Sequence, residues 1–565
     1  MAPASALLNS RGARFWGTFV ALCLLAFIST LDVAIISTSL PAITADLGSD
    51  AARQYVWIAN SFLIASCVLQ PLFGQLATIF GRRVPLVVCV ILFALGSGIG
   101  GAARNPAMLI AGCTIQGVGA GGIYVLIDVV CCDLVPLRER GKYLGLMFSW
   151  AGFAAAIGPP VGGALAQADW RWIFWINIPV CGLALLFLLC FMGLGTLGTG
   201  TKMDGSQRRL GFASKLKGID YLGTFIFIPS MIALLWGLIF GGIQYPWHSF
   251  RIIVSLVLGC LGWAAFHVQQ HFAKHQSVPS RLFTNRTSAT AFFLTFTSSI
   301  LVQSITYFLP VYFQGVLGTT VLQSGTFFLP FAMGSLASAV AGGILLSKLG
   351  SYRILHAAAF AISSVAFGIL TLLDANTSKV AWAFFQLVAA AGAGIPMSTM
   401  LSAIMAGLPE SDVASASATY SFILNFGYLW GVTFPGIIFN FVVKRSLNLI
   451  SDESLRSQLR DDAAYSFASQ VHVLRHDLSP TVSQELTEAY KKGLRAIWWF
   501  GLGISIFSFF AVIGEKDLEL RKELDTEYGL EASEKSNEAQ SNISGNANGR
   551  EDVGMSGKSA VVGLS

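Results

Sequence analysis

The chain has 565 residues, of which 54% are hydrophobic and only 12% charged, about half the roughly 25% charge content of a soluble domain. Its mean hydropathy of +0.66 reflects more apolar sequence than a globular core can absorb. The net charge of +6 comes without the clustered basic and aromatic surface that nucleic acid requires. A soluble enzyme and a nucleic-acid binder are thereby excluded, and an all-α polytopic membrane protein is expected.

Residues 1–14 read as a cytoplasmic N-terminus. Apolar stretches long enough for ~30 Å of hydrocarbon follow near 15–38, 55–77, 85–103, 107–130, 143–166 and 171–194. The first has no small-residue cleavage site behind it and leads into further spans, so it reads as a span and not as a signal peptide. The segment 195–270 holds a polar connection and two more spans near 221–243 and 250–270. Six others lie near 288–314, 325–346, 353–373, 379–406, 417–441 and 494–513. The pattern predicts fourteen transmembrane helices: a six-helix bundle over 15–194, an inserted pair within 195–270 and a second six-helix bundle over 271–513. A loop over 442–493 separates the last two spans, and its Leu455, Leu459 and Val471, Leu474 spacing suggests short amphipathic helices. Residues 514–565, rich in Ser, Asn, Gly and Glu, read as a disordered tail.

With the N-terminus in the cytoplasm, seventeen Lys and Arg of the short connections fall inside, among them Arg82, Arg83, Arg138, Arg140 and Lys142. Five fall outside: Arg53, Arg104, Arg171, Arg251 and Lys379. This positive-inside bias predicts that both termini are cytoplasmic, with 442–493 on the outside. Sequons at Asn285 and Asn542 would then face the cytoplasm, and Asn376 sits in a loop too short for efficient glycosylation. All nine cysteines lie in or beside apolar stretches, so no disulfide framework is implied. Neither adjacent Cys131 and Cys132 nor the His267, His271, His275 stripe makes a convincing metal site, and no cofactor is implied.

A shift of 269 residues superposes Gly74-x-Leu76-x4-Gly81 on Gly343-x-Leu345-x4-Gly350, and Pro41 on Pro310. The two six-span bundles are therefore parallel repeats, an arrangement that places a substrate site between them near the bilayer midplane. Between spans 2 and 3, Gly74-Gln75-Leu76-Ala77-Thr78-Ile79-Phe80-Gly81-Arg82-Arg83 lets two helix ends approach closely and supplies arginines for a helix C-terminus. This run resembles the loop signature of the major facilitator superfamily. That family has Asp, or in fungal members often Asn, where this chain has Thr78, which predicts a weaker latch between the halves. In span 5, Ala154, Gly158 and Gly162 fall four apart on one face and permit close packing, while Pro159 removes a backbone donor. The run Gly158-Pro159-Pro160-Val161-Gly162-Gly163 resembles the motif that marks antiporters of the superfamily. Leu31-Asp32-Val33, Trp57 to Phe62, Asp133 to Tyr143, Trp170 to Pro179 and Phe308 to Gln314 look like the fourteen-span drug:proton antiporters of filamentous fungi. The resemblance implies export of a toxin, secondary metabolite or drug across the plasma membrane, by a monomer exchanging its small-molecule substrate for protons within the lipid bilayer.

The family commonly has Arg at the place of Cys113, and many fungal relatives have Arg at Leu424. With both cations absent, the polar groups that remain at membrane depth become the candidates. An ionised Asp32 or Asp128 costs at least ~2.5 kcal/mol inside an apolar span and needs a cavity or a partner. Asp32 is assigned a proton or substrate role. On a rise of ~1.5 Å per residue, it reaches similar depth to Cys113. Asp128 lies near the cytoplasmic end of span 4, where interfacial solvation is expected. Gln116, Gln303, Gln314, Gln386 and Asn425 are equally able to tie helices together or to touch substrate. The other readings are a siderophore, amino-acid or sugar transporter, with a vacuolar location as the alternative, and a non-transporting membrane sensor. An intramembrane enzyme is the weakest, because the histidines are scattered.

Overall fold

The computed structural model describes residues 12–47, 55–192, 215–242, 245–459, 471 and 478–521. Their architecture is a sequence of long helices. The first bundle contains α1 (Ala13–Asp46), α2 (Tyr55–Val68), α3 (Gln70–Phe80), α4 (Arg83–Gly101), α5 (Pro106–Leu134), α6 (Leu137–Asp169) and α7 (Asn177–Phe191). The inserted pair is α8 (Tyr221–Phe240) and α9 (Phe250–Phe272). The second bundle contains α10 (Arg286–Val311), α11 (Val321–Leu349), α12 (Tyr352–Leu370), α13 (Lys379–Ala406), α14 (Val413–Ser446) and α15 (Pro480–Ala511).

Local chemistry sets several of these boundaries. Asn105, Asp220 and Ser378 accept from backbone N–H groups in the first turns of α5, α8 and α13, and Thr320 with Gln323 forms a capping box at α11, as expected for side chains that satisfy orphan donors. Pro71 in the first turn of α3 removes a donor, and α2 and α3 form one span bent by 45°. Gly81 and Gly350, superposed by the 269-residue shift, both adopt positive φ, 80° and 72°, a backbone region that favours glycine.

Twelve helices among the described residues are long and apolar enough to cross a membrane, and the bent α2/α3 pair brings the number to thirteen. The remaining predicted span, 143–166, lies within α6, a helix of 33 residues. In the first bundle α1 packs on α6 and α7, and α5 on α2 and α4; in the second α10 packs on α14, and α13 on α11 and α12. The inserted pair sits against both bundles. Phe227, Met231 and Leu235 of α8 share a buried apolar cluster with Ile64 and Cys67 of α2 and Phe422 and Phe426 of α14.

The boundaries of the last connection need correction. The expected loop over 442–493 is shortened from both sides, because α14 runs to Ser446 and α15 begins at Pro480. A short helix, Glu453–Leu459, does form in between; Leu474 lies outside the described residues. Hydropathy misses the start of α15 because its first three turns are polar and need not be in lipid. The tail is also ordered beyond Gly514. Glu515 is buried against His356, with Oε1 2.9 Å from Nδ1, while Nε2 of His356 meets Thr399 Oγ1 at 3.1 Å. Ser351 donates to Asp517 at 2.9 Å, and Arg521 donates to Leu408 O at 2.6 Å and accepts from the backbone N–H of Arg138 at 3.2 Å. Residues 515–521 thus strap the second bundle and touch the first.

Removing one partner of a buried hydrogen-bonded pair is costly when the other must stay buried without a replacement. Glu515 sits on a terminal strap and can escape into water. We therefore expect His356→Ala to expose residues 515–521 to protease, which can cleave at Lys516 and Arg521, while the bundle stays folded. Unchanged protection would show that the strap is held elsewhere.

Candidate functional site

The two bundles meet at the pole that carries the start of α1 and the end of α15. On one side α3 lies against α14, where a Cβ at Gly74 would collide with Ala418. On the other side α6 lies against α11: a Cβ at Gly343 would collide with the carbonyl of Gly141, and one at Gly145 would come within 2.8 Å of Ala339 O. The second span of each repeat therefore rests on the fifth span of the other.

Charges close the same pole. Arg82 and Asp133, both 2% exposed, pair at 2.8 Å, and Arg82 also donates to Ala77 O at 3.0 Å. Arg140 donates to Cys132 O and Val135 O at 3.0 and 3.1 Å and crosses to the other bundle to pair with Glu410 at 3.0 Å. Arg138 donates to Ser347 O on α11 at 3.0 Å. The Thr78 hydroxyl donates to Gly74 O of its own helix at 3.1 Å. The Arg140–Glu410 pair links the two bundles at this pole. Arg83 is peripheral, donating to Leu189 O at 3.3 Å.

The opposite pole differs. Eighteen residues make five turns of an α-helix and return to the same face. Gly163, Gly325 and Gly436 lie that distance along α6, α11 and α14 from Gly145, Gly343 and Ala418. A Cβ at any of the three meets nothing within 4 Å. Those positions on the three helices are thus uncovered at the opposite pole.

Asp32 lies within the first bundle. It is 1% exposed, and its Oδ1 accepts from Asn177 Nδ2 of α7 at 2.6 Å. The same Nδ2 donates to Ser97 Oγ of α4 at 2.9 Å, and Gln116 Nε2 of α5 donates to Ser97 Oγ at 2.7 Å. The Gln116 carboxamide is also close enough to act on the carboxylate, and no cation among the described residues does so. Cys113 lies within Coulombic range of Asp32, in agreement with the depth argument. Four helices thus converge on one carboxyl.

The second acidic candidate requires correction. Asp128 is 4% exposed, so interfacial solvation does not describe it. Its Oδ2 accepts from Ser421 Oγ of α14 at 3.4 Å, and the Ser421 carbonyl accepts from Asn425 Nδ2 at 2.9 Å. Rotation about the axis of α5 turns Asp128 toward the other bundle. The remaining candidates are scattered. Gln386 donates to Phe327 O at 3.0 Å and Gln314 to Ser324 Oγ at 3.2 Å, both tying α11 to a neighbour. Gln303 lies under Gly431 of α14. In the fifth-span motif, a Cβ at Gly158 would collide with Ala34 of α1, and the carbonyl of Gly162 accepts from Ser39 Oγ at 3.0 Å. The side chain of Pro159 lies outside the described residues. Asn285 caps α10 by accepting from Thr287 N at 2.9 Å, while Asn376 occupies the short α12–α13 turn.

Sequence reasoning missed Ser97, Asn177 and Glu410. Asn177, like Asp133 and Arg140, sits in a stretch that carried the family resemblance, which was the available signal. Ser97 and Glu410 gave none.

Residues 22–432 match the family described as Major Facilitator Superfamily. The chain is 40% identical over 540 residues to the MFS efflux transporter aclA of Aspergillus oryzae, covering 95% of each chain. It is 41% identical over 540 residues to the MFS-type efflux pump LUC4 of a Fusarium species, covering 95% of this chain and 93% of that one. Among solved structures, the human organic anion transporter MFSD10 is similar in fold, with a TM-score of 0.57 at 14% identity, covering 89% of this chain and 100% of that one.

Proposed function

Because the chain belongs to the Major Facilitator Superfamily, we propose that it is a secondary transporter that exports a small apolar or amphipathic molecule, such as a secondary metabolite, toxin or drug, in exchange for protons. Its relatives are named as efflux pumps, and no distinct constellation supports uptake. The observation that carries the reading is the uneven contact of the repeats: faces of α6, α11 and α14 touch at one pole, and the positions eighteen residues along are uncovered. A pair of repeats built this way can rock so that the contacts exchange poles, which is alternating access. With both termini in the cytoplasm, as the charge bias favours, the uncovered pole faces outward. The Arg140–Glu410 pair then holds the cytoplasmic side shut. Asp32 is the proton carrier, and the protein works as a monomer in the plasma membrane.

Expression in a drug-hypersensitive host tests the direction: cellular retention of lipophilic dyes or toxins should fall, and a rise would support an importer. Gly325→Leu probes the mechanism. A Cβ there meets nothing within 4 Å, so stability and membrane insertion should be unchanged. Export should nevertheless stop, because the leucine keeps the outer pole from closing. Normal export by this variant would show that those faces never meet.

A further inference from the structure

The Asp32 site depends on a residue that has no charge and no motif of its own. Asn177 opens α7, is 1% exposed, and uses a single nitrogen to reach both Asp32 Oδ1 at 2.6 Å and Ser97 Oγ at 2.9 Å. A carboxamide nitrogen has two protons, so both are in use. Ser97 Oγ also receives Gln116 Nε2 at 2.7 Å, which fills its acceptor capacity and leaves the hydroxyl only its own proton to give. On the acceptor side, Asp32 Oδ2, Asn177 Oδ1 and Gln116 Oε1 are buried without a partner. The cluster with an ionised Asp32 is therefore rich in acceptors and short of donors. A proton added to the carboxyl can donate to a neighbouring carboxamide oxygen.

A carboxamide presents a donor or an acceptor according to which way it is turned. We propose that Asn177 is the positioning residue that registers the protonation state of Asp32, donating to the carboxylate when it is ionised and turning to accept from the carboxyl when it is protonated. The inference rests on the reading of Asp32 as the proton carrier. The turn exchanges the links that Asn177 makes to α1 and α4, so the proton held on α1 is felt on α7 and, through Ser97 and Gln116, on α4 and α5. Asn suits this place because Asp cannot donate when ionised and Leu can do neither. The titratable groups facing Asp32 are Cys113 and Tyr124 of α5 and Cys181 of α7. No charged group of α2, α4 or α6 acts on it among the described residues.

The test needs no substrate. In purified full-length protein in lipid vesicles, infrared difference spectra are recorded across a pH series, and the carboxyl band of Asp32 is assigned by its loss in Asp32→Asn. In Asn177→Leu the midpoint of that band should move toward alkaline pH by on the order of one unit, because the bond lost by the charged carboxylate outweighs the one lost by the neutral carboxyl. Asn177→Gln should recover part of the shift. Ser97→Ala, a smaller change suited to the case where Asn177→Leu does not fold, should move the midpoint the same way by less. An unmoved midpoint in Asn177→Leu, or in Ser97→Ala if only that variant folds, overturns the proposal. Absence of any Asp32-dependent band instead overturns the proton-carrier reading on which it rests.

Discussion

Asp32→Asn is expected to reduce pH-driven transport to the level of cells that lack the protein, with expression and folding intact. The substitution is nearly isosteric and keeps an acceptor for Asn177 at the Oδ1 position, so the hydrogen bond at 2.6 Å can persist. Only the ability to take up and release a proton is removed. An ionised carboxylate at this depth needs a partner, and here the carboxamides of Asn177 and Gln116 serve. Cys113→Arg should place a cation within reach of Asp32. Pairing favours the ionised carboxylate, so the pH optimum of transport should move downward. Full pH-driven transport by Asp32→Asn would exclude it as the carrier, and an unmoved optimum in an active Cys113→Arg protein would show that the two groups are not coupled.

Gly158→Leu should abolish most export while leaving membrane insertion unchanged. A Cβ at this position already collides with Ala34 of α1, and Ala34 is two residues from Asp32. Overpacking of a tight interface costs typically 1–3 kcal/mol. Here it is relieved by pushing α1 away from α6, which draws Asp32 from Asn177. An energy of that size corresponds to roughly 5- to 150-fold in a conformational equilibrium, enough to depopulate the working arrangement. Gly182→Leu on α7 is the control, since a Cβ there meets nothing within 4 Å and its hydropathy gain is the same. Equal export by the two variants, each inserted at normal levels, would show that the α1–α6 contact at Gly158 has no part in transport.

How much of this was readable in advance depends on whether a property is local to one helix. Hydropathy places fourteen apolar stretches because transfer into lipid is a property of contiguous sequence, and the 269-residue repeat reappears as matching positive-φ glycines at 81 and 350. Asp32 and Gln116 stood out because a polar group in a long apolar run is costly wherever the helix docks. Their depth could be counted along the chain, which is why Asp32 and Cys113 were correctly brought together.

Rotation and docking could not be counted. Depth put Asp128 near a membrane edge, but only the packing of α5 on α14 turned it inward to Ser421. Hydropathy likewise began the last span at 494, although its helix starts at Pro480, because a polar helical segment outside the hydrocarbon leaves no apolar signal. The sequence by itself determined the class of fold, the duplication and the family, and it singled out Asp32 and Asp128 as intramembrane carboxyls. The tertiary structure decided which distant residues meet: Asn177 and Ser97 at Asp32, Glu410 at Arg140, and residues 515–521 at His356. Those pairings depend on how helices far apart in sequence are turned and packed against one another, and each partner by itself is an ordinary polar residue.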